Sequence, residues 1–422
     1  MEKISVVVSC PYDTYSGYGA RSRDFVKALL ALDKYDVKVL SQRWGSTRFG
    51  YLADHNEEEL YKLKIEQITS KPDVWIQITV PNEFQPVGKY NIGVTAGIET
   101  TVADSTWIEG CNRMDLNLVS SQHSKEVFLN SKFTKNDKKT NQTIGTIELQ
   151  KPIEVLFEGV DIEKYIDSSS SFDFSDVKES FCFLFVGHWL PGDFAQDRKN
   201  VGFTIKAFLE TFKNKPNPPA LILKTSHGNS SIMDRSKIRT KINDIKSAVK
   251  GKLPNIYLIH GDLTDEEMNS LYNHSKVKAM ISLTKGEGFG RPLLEFSLTK
   301  KPIIASAWSG QRDFLDPEFT KLIPGTLEPV HRSAFMKGAI IEGASWFQAD
   351  SAAVGKELKN MFKNYKNFLN LAKRQAFKNK NDFSLDKMTE LLGTLLDKNI
   401  PEFPKQVQLE LPKLNLPKLK KL

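Results

Sequence analysis

Two doubly wound α/β domains are what this sequence predicts, and three observations predict them. Short apolar, β-branched runs alternate along the chain with stretches of helical spacing, the pattern of parallel sheets covered by helices. Glycine-bearing turns stand between a strand and a helix at 15–21 and at 284–290, the edge where open α/β sheets place their ligands. The length, 422 residues, exceeds what one core fills and suffices for two.

Composition places the chain among globular proteins, with 40% hydrophobic and 26% charged residues. No apolar run approaches the roughly 20 residues that span a bilayer. The opening MEKISVVVSC reads as a short strand rather than a signal peptide, so a cytoplasmic protein without a transmembrane segment is expected. Cys10, Cys111 and Cys182 lie far apart with no metal-ligand spacing, and Cys10 and Cys182 read as reduced core thiols. The net charge of +8 suits an anionic partner: nucleic acid, a membrane surface or a diphosphate. A lysine-rich solvated surface would give the same number.

In the first half, residues 4–9 form the first buried strand. The loop 15–21 holds Gly17, Tyr18 and Gly19, and a helix is expected over 22–32. Ser22 occupies the third glycine site of G-x-G-x-x-G, so no dinucleotide fingerprint is completed. Further strands are expected at 37–41, 74–80 and 91–96. Glu99 leaves the C-terminal end of the last, where it can contact or deprotonate a hydroxyl; a solvated loop glutamate is the plain alternative. A fifth strand at 115–121 ends in hydroxyls and leads into a helix, with His123 as a capping or surface residue. The lysine- and asparagine-rich stretch 132–142 is expected to be a mobile loop able to touch a polyanion. A strand at 152–157 runs into Glu158-Gly159-Val160-Asp161, and the polar run 167–171 marks a domain boundary.

The second half opens on a buried strand at 181–187. The loop 188–200 carries Arg198 and Lys199, two adjacent cations suited to phosphate oxygens, and a helix follows at 203–212. A strand at 220–225 ends in Lys224 and Thr225. Another is expected at 255–260, and Thr264 with Glu267 spells a capping box.

A strand at 279–283 then meets Gly286, Gly288 and Gly290, spaced two apart. Pro292 sits at a first helical position, where a missing N–H is tolerated. Glu287 lies in the glycine turn and Glu295 in the first turn of the helix. Between them stand backbone amides and a positive helix end, both suited to an anion. A carboxylate among such glycines accepts hydrogen bonds from neutral hydroxyls, and hydroxyls beside phosphates describe a nucleotide sugar. The plain alternative is a dipole-complementing Glu295 and a solvated Glu287. Residues 351–398 are helical and amphipathic. The basic tail, 399–422, carries Pro401, Pro404, Pro412 and Pro417, which rule out a continuous helix.

The run from Glu287 through Gly288, Phe289, Gly290, Arg291 and Pro292 to Glu295 resembles the motif of glycosyltransferase family 4 and its GT-B relatives: two glutamates separated by seven residues, a GFG turn after the first and a proline before the second. The turn 158–161, the stretch 308–314 and the helix start at 383–388 are similar to further family features, and the likeness covers about residues 1–398. It implies the GT-B fold, two Rossmann-like doubly wound domains facing a cleft. Residues 1–166 would be the acceptor domain, 167–175 a linker, 176–350 the nucleotide-sugar domain and 351–398 closing helices that cross back.

The resemblance further implies a hexosyl- or pentosyltransferase that retains anomeric configuration. It would move sugar from a nucleotide sugar, UDP-sugar foremost, to a hydroxyl, with no cofactor and no bound metal. Glu287 would contact the transferred sugar; Glu99 is a second catalytic candidate on its own chemistry and not through the resemblance. Glu295 would bind ribose, Arg198 and Lys199 the diphosphate, and Gly288, Phe289, Gly290, Gly310 and Thr225 would line the donor site. Gly17, Tyr18 and Gly19 would face phosphate or acceptor. Two departures stand out: His188 and Trp189 follow Gly187 where an arginine is usual, and Glu99 stands where a histidine is common.

The wording of 187–201 and 286–298 is similar to proteins of large tailed bacteriophages, some of which glycosylate hydroxymethylated bases of their own DNA. That makes DNA one acceptor class, in the host cytoplasm. A surface glycan, a lipid-linked glycan or a protein are the others. A non-catalytic nucleotide-sugar-binding protein is the alternative of another class.

Overall fold

The computed structural model describes residues 3–403 apart from 138, 139, 141 and 229; most of the tail expected at 399–422 lies outside the described residues. The first sheet has seven parallel strands: β1 (Ile4–Cys10), β2 (Tyr35–Ser41), β3 (Lys64–Ile65), β4 (Val74–Ile78), β5 (Tyr90–Thr95), β6 (Leu116–Val119) and, after an intervening hairpin, a seventh at Ile153–Val155. The hairpin strands are β7 (Phe133–Asn136) and β8 (Thr143–Ile147), which makes the seventh sheet strand β9. Their spatial order is β3-β2-β1-β4-β5-β6-β9, so the order reverses between β1 and β4. Helix α1 (Gly17–Ala31) follows β1, the short α2 (Tyr51–Asp54) and α3 (Glu58–Tyr61) follow β2, and α4 (Ser105–Cys111) and α5 (Gln122–Asn130) flank β6.

The second sheet repeats the plan with β10 (Cys182–Val186), β11 (Ala220–Lys224), β12 (Ile256–Ile259), β13 (Val277–Ser282), β14 (Ile303–Ser306) and β15 (Lys321–Ile323), ordered β12-β11-β10-β13-β14-β15 and parallel throughout. Its helices are α6 (Val201–Phe212), α7 (Ile232–Ser247), α8 (Asp265–Asn273) and α9 (Arg291–Ser297). A second hairpin, β16 (Gly325–Pro329) with β17 (Ser345–Ala349), follows. Three helices close the chain: α10 (Ser351–Lys363), α11 (Tyr365–Asp382) and α12 (Leu385–Asn399).

The central strands are buried on both faces, which is why they read as unbroken apolar runs such as VVV and FLF. Apolar clusters lie on each side of each sheet. Met388, Leu392, Leu395 and Leu396 of α12 belong to the first sheet's cluster, beside Phe25 and Leu29 of α1. The chain therefore crosses from the second sheet back to the first, a crossing anchored by hydrogen bonds from Val160 N to Phe383 O and from Leu385 N to Val160 O, 2.9 Å each.

Two expectations need correction. The helix after β1 begins at Gly17, five residues early, because Ser16 Oγ accepts from Gly19 N (2.8 Å) and caps it; Gly17, Tyr18 and Gly19 form its first turn rather than a loop. Within the stretch 132–142, residues 133–136 form β7, paired antiparallel with β8, and both strands are exposed nearly throughout; part of the remainder of that stretch lies outside the described residues. Cys10, Cys111 and Cys182 are free and buried. Among the described residues no helix is long and apolar enough to cross a membrane.

Candidate active site

Strand order reverses at β1/β4 in one sheet and at β10/β13 in the other. The C-terminal ends of these strands are where crossovers diverge and leave a crevice. The two crevices face each other across a cleft of about 400 Å³. The first sheet contributes Gly17, Tyr18, Trp44, Ala96, Glu99 and Glu158 to its wall. The second contributes Gly187, His188, Arg198, Lys199, Lys224, Thr225 and Ser226, together with the whole turn from Glu287 to Pro292 and Glu295.

The turn 286–290 touches the first sheet through bare backbone. A Cβ on Gly286 would overlap Glu99 O, and one on Gly288 would overlap Ala96 O. Only glycine permits that approach. Ser120 Oγ, at the end of β6, donates to both Ala96 O and Gly288 O, the latter at 3.1 Å, and so joins the two walls. Gly290, at φ +104°, then turns the chain into α9.

Glu287 is buried and tightly paired. Lys199 Nζ lies 2.6 and 2.8 Å from its two oxygens, and Arg198 Nη1 is 3.2 Å away. Burial alone would push this carboxyl up, but Lys199 and Arg198 outweigh it and hold it below the usual carboxylate range. Arg198 also donates to Gly286 O (2.8 Å) and pairs with Glu99 across the cleft (3.5 Å). Burial works against the Arg198 charge, yet Glu99 and Glu287 more than offset it and hold the proton more firmly. Lys199 goes the other way, lowered chiefly by burial despite Glu287.

The loop bearing this basic pair is fixed from below. Asp197 Oδ2 accepts from Val201 N (3.2 Å) at the start of α6, and Lys285 N donates to Arg198 O (2.8 Å). Asn200, at φ +56°, makes the turn into the helix.

Glu295 sits farther along the same wall. Arg291 Nε donates to its Oε1 (2.8 Å) and the Tyr272 hydroxyl to its Oε2 (3.2 Å). Burial pushes its carboxyl up to about 7, against the pull of Arg291. Glu158 is likewise raised by burial, with Arg21 and Arg291 opposing. Thr225 is buried and its hydroxyl has no hydrogen-bond partner, an unmet polar group on the cleft wall.

On the first-sheet side the Tyr18 hydroxyl bridges Thr95 Oγ1 (2.9 Å) and Ala96 N (3.1 Å). Its ring stacks on Trp44, with centroids 4.0 Å apart and planes at 22°. Gly17 has open space around it, whereas a Cβ on Gly19 would overlap Thr14 O.

The structure thus brings together Glu287, Glu295, Arg198, Lys199, Glu99, Thr225, Gly288, Phe289, Gly290, Gly17 and Tyr18 on one cleft. Gly19 lies beneath it. The Phe289 ring is buried among Phe314 and Phe383, which leaves its backbone to face the cleft. Gly310 is misassigned by the sequence reading: it is off the cleft wall and its amide is already used, donating to Glu287 O at 3.0 Å. His123 is neither a cap nor freely exposed; burial lowers it to about 4, and its ring stands edge-on to Trp308 at 4.6 Å.

Trp44, Glu158, His188, Lys224, Ser226 and Arg291 were not singled out as site residues by sequence reasoning. The last lies inside the recognised motif run, and that position was the available signal. Among the described residues no three His, Cys, Asp or Glu side chains converge as a metal would need.

No protein-family model matches the chain, and no curated protein matches it in sequence. Solved structures do match it in three dimensions. A glycosyltransferase from Rickettsia africae superposes with a TM-score of 0.63 at 13% identity, over 95% of this chain and 99% of that one. HepE from Anabaena, solved in complex with UDP-glucose, gives 0.59 at 13% over 94% and 100%. Sucrose-phosphate synthase from Thermosynechococcus elongatus gives 0.61 at 13% over 94% and 99%. What this chain shares with all three is the GT-B architecture, two Rossmann-like sheets facing one cleft.

Proposed function

We propose that this protein is a glycosyltransferase that moves a sugar from a nucleoside diphosphate sugar, UDP-sugar foremost, to a hydroxyl acceptor. The observation that carries the reading is the ion cluster of Glu287 with Lys199 and Arg198, on the same wall as Glu295 and the unpartnered Thr225 hydroxyl. Two cations beside a set of hydroxyl-accepting carboxylates match a diphosphate flanked by two sugars. The UDP-glucose complex of a protein with the same fold supports the choice of donor.

In this reading residues 1–166 form the acceptor half and 176–350 the donor half, joined by 167–175 and closed by 351–398. Lys199 and Arg198 neutralise the charge that grows on the diphosphate as the sugar C1–O bond breaks. Glu287 faces the transferred sugar, Glu295 takes the ribose hydroxyls, and the turn at 288–290 lines the sugar pocket. The acceptor oxygen forms the new bond to C1 and gives up its proton to Glu99 or to the departing phosphate. The motif of the first glutamate favours retention at C1. A donor of this class is a cytoplasmic metabolite, so the reading carries a cytoplasmic location. The net charge of +8 favours a polyanionic acceptor, and a hydroxymethylated base in duplex DNA is the acceptor we test first.

The test is nucleoside diphosphate release from UDP-, GDP- and ADP-sugars, with and without DNA containing hydroxymethylcytosine, for wild type and Glu287→Gln. Release that DNA stimulates and Glu287→Gln loses by about a hundredfold or more supports both donor and acceptor. Release indifferent to DNA keeps the enzyme and moves the acceptor to glycan, lipid-linked glycan or protein. Donor binding with no turnover on any acceptor makes the protein a non-catalytic nucleotide-sugar binder.

A further inference from the structure

Each of the two motif glutamates is held by an arginine that also reaches a carboxylate of the opposite wall. Arg198 holds Glu287 at 3.2 Å and reaches Glu99 at 3.5 Å. Arg291 holds Glu295 through Nε at 2.8 Å and reaches Asp24, on α1 of the first sheet, through Nη1. The second bridge is the more enclosed, with side-chain exposures of 19% for Arg291, 14% for Asp24 and 8% for Glu295. Glu158, at the end of the first half, faces the same guanidinium.

We propose that Arg291 is a positioning residue: through Asp24 it ties the second sheet to α1 across the cleft, and with its other edge it sets Glu295 toward the donor, so that approach of the two walls and preparation of the donor site are one event. The role assigned to Glu295 rests on the function proposed above; the tie between the walls does not.

The chemistry favours arginine for this. A guanidinium presents five donors in a rigid plane and serves two carboxylates on different edges at once. Tyr272 fixes the second oxygen of Glu295, so Arg291 cannot swing to Asp24 alone without releasing a buried carboxylate. Asp24 has no place in the family motif. Its position on α1, whose first turn holds Gly17 and Tyr18 of the acceptor wall, makes it one of the acceptor side's contacts with the donor side, beside Glu99 and Ser120.

The experiment compares wild type, Asp24→Asn, Asp24→Glu and Arg291→Lys by UDP calorimetry, donor and acceptor kinetics, thermal unfolding and small-angle scattering of the free proteins. Asp24→Asn is near-isosteric and leaves the Arg291–Glu295 contact in place. It is expected to enlarge the radius of gyration and to weaken UDP binding by about tenfold, the scale of an ordinary coupling between sites. Asp24→Glu is expected to recover most of that affinity, and Arg291→Lys to lose as much as Asp24→Asn or more. A variant Asp24→Asn that melts earlier but keeps the wild-type radius and UDP affinity would reduce the bridge to a structural contact and overturn the proposal. If wild type binds no UDP, the proposed function fails, and the scattering comparison alone decides the tie, with an unchanged radius counting against it.

Discussion

Replacing Glu295 with Gln removes a carboxyl whose burial has displaced its titration from the ordinary 4.5 to about 7. The sign follows from proton binding. Between these two values the folded chain holds a proton that the unfolded chain has released, so folding is favoured at low pH and the benefit is lost as pH rises through 7. One unit of displacement corresponds to about 1.4 kcal/mol, so the full displacement is worth about 3 kcal/mol. Between pH 5 and pH 8 about 2.5 kcal/mol of it would disappear. Urea unfolding of both proteins at pH 5, 6, 7 and 8 isolates this contribution, because every other titrating group is common to the pair. The wild type should lose about 2.5 kcal/mol more than Glu295→Gln over that range. UDP affinity should move the opposite way in the wild type, rising as the carboxylate forms and becomes a stronger acceptor for ribose hydroxyls, and should be flat in the variant. Parallel stability curves would refute the displacement. A flat wild-type affinity would refute the ribose role.

Two smaller changes probe the cleft walls. Thr225→Val deletes a buried hydroxyl that has no partner in the free protein; it should leave the melting temperature unchanged or raised, while UDP binding in calorimetry weakens by about 1 kcal/mol, roughly fivefold. Gly288→Ala drives a Cβ into Ala96 O and must push the turn away from the first sheet, so a stability loss of about 2 kcal/mol or more and loss of UDP binding are expected, whereas Gly17→Ala, with open space at that Cβ, should fold as wild type. Equal stability of the two alanine variants would refute the close approach of the walls.

The strands were legible because parallel strands buried on both faces leave continuous apolar runs that need no partner to be recognised. The pair Glu287 and Glu295 was legible because its spacing is local. Its meeting with Arg198 and Lys199, nearly ninety positions earlier, follows only once β10 and β13 are neighbours in one sheet. Features hidden in the sequence share a cause. The start of α1 was missed because glycines at 17 and 19 argue against a helix interior, yet both fall in a capped first turn where that cost is small. The β7–β8 hairpin is exposed on both sides, so its strands carry no alternation to read. Arg291 stood in the motif run without a role of its own; its partner Asp24 is 267 positions away. The Gly310 amide is spent on a carbonyl of the same turn system, a use invisible without coordinates.

The cleft carries Arg198, Lys199, Lys224 and Arg291 against Glu99, Glu158, Glu287 and Glu295, four cations facing four carboxylates. With all four carboxylates ionised it is close to neutral, and a diphosphate entering that state meets no surplus of positive charge. It must take cations that already have partners. Lys199 is the natural one to yield, because its contacts are to Glu287 alone, whereas Arg198 is shared among Glu287, Glu99 and the Gly286 carbonyl. Once a phosphate oxygen claims Lys199, Glu287 loses its shortest contact and keeps only Arg198 at 3.2 Å. Its carboxyl then rises, since burial no longer meets two opposing charges. In the function proposed above, donor arrival would then do two things in one step: supply the leaving group with a cation, and release the carboxylate assigned to the sugar. The acceptor wall takes no part in that exchange beyond Glu99. What it offers instead is the stacked pair of Tyr18 and Trp44, an aromatic ledge suited to a flat base or the face of a sugar ring, so stacking at the ledge would add to the attraction that the chain's positive charge has for a polyanionic acceptor.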